Sequence, residues 1–354
     1  MYIGEKETGW LLTVLVTSQI FVRGINGFVS ASGTAGAIVS LLCCAIVLVY
    51  FWIIDKLKFS HDVGMFDMMR ESYGNSATVI IGAVLTVLSA LNCSMRLKMF
   101  SVAVADIVLP DSPQVYVMLF FAVAMLVAVS VGLEALTRYA LPAGMVIALL
   151  SAAVVAFNFD SYKLTNIFPL LGRGGEGIAS SSGMISMFSD FFYIYILADF
   201  FRKKHAVKRV SLKAVALSGI IITSITFFYI LAVPYPSSAK FDYPFFRLAS
   251  LANTSVLFQR LDAFVYVIWL FSGFICTGAL ALFTIMIFSQ TFKLSDYKGI
   301  VHAFIFLISA FSLTAKNRFS LVNSLFSTFV FSLLAVTAVV YRFKIISGRN
   351  TDEE

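Results

Sequence analysis

The chain has 354 residues, of which 60% are hydrophobic, 36 are Phe and only 13% are charged, with a formal net charge of +7. Soluble domains run nearer about 25% charged, so no water-soluble globular class fits this composition. A membrane β-barrel is excluded as well, because its strands alternate apolar and polar residues whereas the runs here are apolar all round. The chain reads as an all-α integral membrane protein seated in a lipid bilayer.

Ten apolar runs approach or exceed the roughly 20 residues that cross ~30 Å of hydrocarbon, and they predict ten transmembrane helices. The first covers about 9–29 and contains Arg23, Gly24 and Gly27. Glu5, Lys6 and Glu7 precede it and no small-residue cleavage site follows, so it reads as a retained helix rather than a signal. The second covers about 35–54, and the long third, 76–105, carries Arg96 within it. The fourth and fifth, about 114–133 and 139–157, flank "GLEALTRYA", where Glu134 and Arg138 stand at i and i+4. The sixth, about 178–201, follows the small, polar "GRGGEGIASSSG" and carries Asp190 near its middle. The seventh, about 211–233, follows "FRKKHAVKRVSLK"; the eighth, 262–288, opens on "QRLD"; the ninth and tenth cover about 298–315 and 321–341.

With the N-terminus inside, the cytoplasmic segments hold the larger share of the 26 Lys and Arg residues, the "RKKHAVKR" loop foremost. That bias predicts both termini cytoplasmic. Ten helices divide as five plus five, and because five is odd the second set is expected to be inverted, as in many transporters. The expected division is 1–157 and 158–341, with 342–354 a cytoplasmic tail.

Little catalytic chemistry is legible. Cys43, Cys44, Cys93 and Cys276 fall inside apolar runs, where cysteine behaves as a small hydrophobe, and His61, His205 and His302 are scattered. No metal ligand set, nucleotide loop or nucleophile–base arrangement is present, so neither an enzyme nor a cofactor is expected. The cations sit at membrane edges, which argues against a nucleic-acid partner.

Four stretches carry a family resemblance. They are "MRLKMFSVAVADIVLPDSP", "GLEALTRYA", "MFSDFFYIYI" and "QRLDAFVYVIW". Together they resemble the B subunit of the nutrient germinant receptors of spore-forming bacteria, the spore germination permease family of the amino acid–polyamine–organocation transporter superfamily. The chain differs from relatives in "TSQIFVRGINGFVS", where a glycine-rich break is usual, and in Asp190 and Asp262, where Glu is common. The resemblance implies a fold like that of sodium-coupled amino-acid transporters, with discontinuous first and sixth helices whose free backbone groups bind a small zwitterion. It further implies a small-molecule nutrient, an amino acid, as ligand, with A-type and C-type (lipoprotein) receptor subunits as partners in the cell membrane or spore inner membrane.

Individual residues give the candidate site. A carboxylate as deep as Asp190 costs at least ~2.5 kcal/mol to insert, so it should face a cavity or a partner. Ser186, Ser189, Gly24 and Gly27 are the neighbouring candidates for ligand contact or for departures from the helix, with packing as the alternative. Asp262, Tyr266 and Trp269 share one helix face at i, i+4 and i+7, toward a pocket, a seam between helices or an interfacial aromatic belt. Arg260 and Asp262 do not face each other, so as a gate each needs a partner elsewhere. Arg96 or Arg23 is the candidate for Asp262, an outer-loop acid such as Asp242 or Glu176 for Arg260, and Asp190 is the alternative partner for Arg96. The alternative for Arg23 is a snorkelling residue at the outer interface. Glu134 and Arg138 form an expected end-of-helix pair. Three functions stay open: a germinant-sensing receptor subunit, a working amino-acid or cation-coupled permease, and a water- or ion-conducting channel subunit.

Overall fold

A computed structural model describes residues 2–57, 64–202, 206–251, 261–294, 296–315 and 319–351. In chain order the helices are α1 (Glu5–Thr17), α2 (Gly24–Ser32), α3 (Gly36–Leu57), α4 (Met65–Tyr73), α5 (Asn75–Ile107), α6 (Gln114–Phe157) and α7 (Gly174–Ser180). Then follow α8 (Tyr193–Ile196), α9 (Ala206–Ala232), α10 (Pro244–Leu251), α11 (Leu261–Phe292), α12 (Val301–Thr314) and α13 (Phe319–Thr351). Two 3-10 segments matter for function: Ser18–Phe21 between α1 and α2, and Ser181–Phe192 between α7 and α8. Among the described residues the β structure is limited to a parallel bridge between Ile3 and Phe201.

Six helical stretches among the described residues are long and apolar enough to cross a membrane: Gly24–Leu57, Asn75–Ile107, Gln114–Phe157, Ala206–Ala232, Val265–Phe292 and Phe319–Ser347. The sequence predicts ten runs, and the difference has physical causes. The first run is divided by the 3-10 turn, and the sixth is largely 3-10 helix, which rises faster and holds poorer hydrogen bonds. The ninth gives only the 14 residues of α12. The fourth and fifth runs are merged in the 44 residues of α6, which would stretch ~66 Å if straight. It is not straight: Gly132, at φ 84° and ψ 176°, departs from helical geometry, a conformation open to a residue without Cβ. At the other end, α13 continues to Thr351, so residues 342–351 of the expected cytoplasmic tail are helical.

Side-chain periodicity explains the layering. Along α6, Val117, Phe121, Met125 and Val129 are buried at every fourth position, while Tyr116, Phe120, Val123, Val127 and Val131 are exposed. Both stripes are apolar, as expected where one face meets protein and the other meets lipid. α11 packs on α6 and α5, and α1 lies against α6, α9 and α11. The inner half of α11, including Cys276, Leu280, Phe283 and Ile287, is buried on all sides. The breaks in the first and sixth runs therefore meet in the middle of a packed bundle.

Candidate functional site

The break after α1 uses ordinary residues. Ser18–Phe21 winds as 3-10 helix, Val22 (φ −100°, ψ −87°) leaves helical space, and α2 restarts at Gly24. Facing it, Ser181–Phe192 holds 3-10 geometry over 12 residues. Such runs rarely exceed three or four residues, and a long one marks a strained or functional segment.

Asp190 lies in that segment and is fully buried. Arg96 Nη2 on α5 donates to Asp190 Oδ2 at 2.9 Å, and Asn92 Nδ2, one turn earlier on the same face, donates to Oδ1 at 3.3 Å. From the break in the first run, Gln19 Nε2 donates to Oδ2 at 3.3 Å and to the Met187 carbonyl at 2.9 Å. Donors from two separate elements thus converge on a carboxylate carried by a third. Of the two acids the sequence offered Arg96, Asp190 is a partner, and the side chain of the other, Asp262, lies outside the described residues. The Arg96 guanidinium also lies 5.5 Å from the Phe319 ring centroid, a cation–π distance. Among the described residues, Arg96 Nε and Nη1 and Asn92 Oδ1 are buried without hydrogen-bond partners. Below the carboxylate, Ser89 bridges Tyr193 Oη at 2.9 Å and Thr284 Oγ1 at 2.8 Å.

A cavity of about 610 Å³ opens above this cluster, between α2, the long 3-10 segment, α5 and the start of α13. Gln19 and Met187 line it and separate it from Asp190; Met184, Ser186, Phe319 and Asn323 complete the inner wall. Ser186 Oγ accepts from Asn323 Nδ2 at 2.8 Å, which ties the 3-10 segment to α13. Tyr243 stands at the cavity wall and donates to Asp106 Oδ2 at 2.6 Å. Burial and the Asp106 carboxylate push its phenol above the usual range, so it remains a protonated donor.

The other expected residues separate into those that reach the cavity and those that do not. Ser189 is buried and bonds back to the Ser186 carbonyl at 2.8 Å, outside the cavity lining. Gly24 and Gly27 do line the cavity, but they lie past the break rather than in it. Their role is close approach: a Cβ at Gly24 would stand 2.6 Å from Met187 Cε, and one at Gly27 2.5 Å from Met184 Cε. Tyr266 and Trp269, expected as ligand contacts, are not among the residues that line this cavity. Tyr266 stacks on Phe246 of α10 at 5.3 Å, and fully buried Trp269 meets Phe246 edge-on at 4.8 Å and Phe100 at 6.2 Å. Their shared face is turned to the seam between α10 and α5.

The expected gate resolves in part. Arg23 pairs with Asp242 at 3.4 Å, and both side chains are about half exposed, so Arg23 is a rim residue and holds one of the acids proposed for Arg260. Arg260 itself and the Asp262 side chain lie outside the described residues. Glu134 and Arg138 do pair, at 2.5 Å, but in the exposed turn beside Gly132 and away from the cavity. Residues that the sequence reading did not single out are Gln19, Asn92 and Asn323. Asn92 was signalled by its place four residues before Arg96; Gln19 was signalled as an amide within an apolar run.

In overall shape the chain is similar to a solved transporter of the nucleobase-cation-symport-1 family, in a closed conformation with bromovinylhydantoin bound. The TM-score is 0.65 at 11% identity, over 93% of this chain and 77% of that one. No curated protein matches it in sequence. The family described as spore germination protein, a spore permease family, matches residues 11–320.

Proposed function

The chain belongs to the spore germination protein family, and we propose that it is the membrane subunit of a nutrient germinant receptor. In this reading it crosses the membrane ten times, as inverted halves 1–157 and 158–341, with both termini cytoplasmic. It resides in the cell or spore inner membrane beside A-type and C-type subunits. Its ligand is a small nutrient, an amino acid, that enters the 610 Å³ cavity, contacts Gln19 on its wall and reaches the buried cluster past Met187. The observation that carries the reading is the polar cluster at the meeting of two helix breaks. Among the described residues, Arg96 keeps two unpaired N–H-bearing nitrogens there, and Asn92 an unpaired carbonyl oxygen. A carboxylate suits the first and an ammonium the second, with the 3-10 backbone supplying further groups. Because Asp190 and Arg96 already neutralise each other, a zwitterion adds no net charge to the site.

The test is isothermal titration of the purified protein with a panel of common amino acids and sugars. Saturable binding of an amino acid that is lost in Gln19→Leu supports the site. Binding that survives unchanged in Gln19→Leu moves the ligand elsewhere. A second reading, a working permease, is favoured by the fold shared with a solved transporter. Uptake of the bound compound into proteoliposomes selects the permease, and saturable binding without uptake selects the receptor.

A further inference from the structure

A second cavity, of about 290 Å³, lies between α1 and α9 at the end of the bundle that carries the N-terminus. Its chemistry is unlike that of the first. Lys6, Arg209 and Lys213 stand on its rim with a single carboxylate, Glu5, which is engaged with Arg209 at 3.1 Å. Lys6 and Lys213 are exposed and have no acidic partner among the described residues. The rest of the wall is largely apolar. Trp10, Val210 and Leu217 line it, and the Thr13 hydroxyl is spent on the Gly9 carbonyl at 2.9 Å. The cleft is therefore cationic at its mouth and apolar beneath.

That gradient matches an amphipathic anion, and its position selects which one. The cations occupy the first two turns of α1 and α9, where apolar helices leave the bilayer, and basic pockets between helices at that level hold lipid headgroups. Trp10, half-buried and one turn below Lys6, is the residue type that anchors at this interface. We infer that the α1–α9 cleft is a binding site for an anionic glycerophospholipid, its phosphodiester held by Lys6, Arg209 and Lys213 and its acyl chain laid along Trp10, Val210 and Leu217. A soluble phosphate would use the rim and leave the apolar wall unfilled. A lipid so placed holds α1 against α9, at the opposite end of α1 from the break that presents Gln19 to Asp190.

The experiment uses the full-length chain in nanodiscs of phosphatidylcholine with a minor share of phosphatidylglycerol, with retained lipid counted by native mass spectrometry. Wild type should retain phosphatidylglycerol in preference to phosphatidylcholine. The exposed double substitution Lys6→Gln/Lys213→Gln should lower that preference about thirtyfold, the worth of two membrane-surface cations. Lys6→Arg/Lys213→Arg should preserve it, and Lys298→Gln, an exposed cation elsewhere, should leave it unchanged. Undiminished retention in the double Gln variant would overturn the site. An equal loss in Lys298→Gln would overturn it too, in favour of diffuse surface charge. Stripping of the lipid by millimolar inorganic phosphate, with phosphate bound in its place, would assign the cleft to a soluble anion instead.

Discussion

Arg96 Nη2 and Asp190 Oδ2 lie 2.9 Å apart with both side chains essentially inaccessible, which makes them a buried ion pair joining α5 to the 3-10 segment. Burial of either charge alone in hydrocarbon is expensive, and the pair is what makes both tolerable. Among the described residues the pair is incompletely satisfied, since two guanidinium nitrogens have no partner there. It therefore fixes the two elements together and leaves donors for a further group.

Breaking the pair one member at a time should be worse than removing it whole. Asp190→Asn and Arg96→Met should each destabilise the protein by ~3–5 kcal/mol, because each strands the other charge or its hydrogen-bond partners. The double substitution should cost clearly less than the sum of the two. Thermal unfolding in detergent, read as a double-mutant cycle, measures this, and strictly additive losses would show that the pair is not energetically coupled.

Gln19 carries a different prediction because its single Nε2 serves both Asp190 and the Met187 carbonyl. Gln19→Leu should cost roughly 1–3 kcal/mol for the acceptors it leaves unpaired. Gln19→Glu should be the more damaging of the two, since it sets a carboxylate against Asp190 in a dry site. Melting temperatures of the two variants at neutral pH decide it. A Glu variant as stable as wild type would mean that Gln19 does not contact Asp190.

Much of this was legible in the residues, and the misses have specific causes. Charges within apolar runs have to find partners, so Arg96 and Asp190 stood out at once. Which acid Arg96 takes is a contact across 94 positions, which one sequence does not encode locally. Gly24 and Gly27 mark the expected place of the break, because glycine is the usual signal. It occurs instead at Ser-Gln-Ile-Phe, where hydrogen bonds to the facing segment, not intrinsic propensity, hold the turn. For Tyr266 and Trp269, periodicity gave the shared face correctly but not its neighbour, and Phe246 of α10 covers it.

The two cavity glycines should respond differently to one added methyl group. At Gly27 a Cβ would meet the thioether end of Met184, which rotates aside, so Gly27→Ala should cost little. At Gly24 the same atom would also stand 2.8 Å from the Gln19 carbonyl oxygen, part of the backbone break itself. Gly24→Ala should cost ~1–3 kcal/mol, as overpacking does, and Met187→Ala should not rescue it. Full rescue by Met187→Ala would mean that the break shifts freely and that Gly24 only makes room for a side chain.

Trp269 tests whether the aromatic seam between α10 and α11 is packing or site. Its ring is buried against Phe246 and Phe100, and its indole N–H has no partner among the described residues. Trp269→Phe removes an unsatisfied donor together with part of the ring, so the loss of contact area and the relief of the stranded polar group act in opposite directions. The net effect should stay below ~1.5 kcal/mol, whereas Trp269→Ala should cost ~3–5 kcal/mol through the cavity it leaves. Neither the cavity lining nor the Asp190 cluster includes this residue, so the Phe variant should bind nutrient with wild-type affinity. Titration of Trp269→Phe alongside Gln19→Leu makes the comparison. A tenfold weakening in the Phe variant at unchanged melting temperature would return Trp269 to the ligand site and draw the seam into recognition.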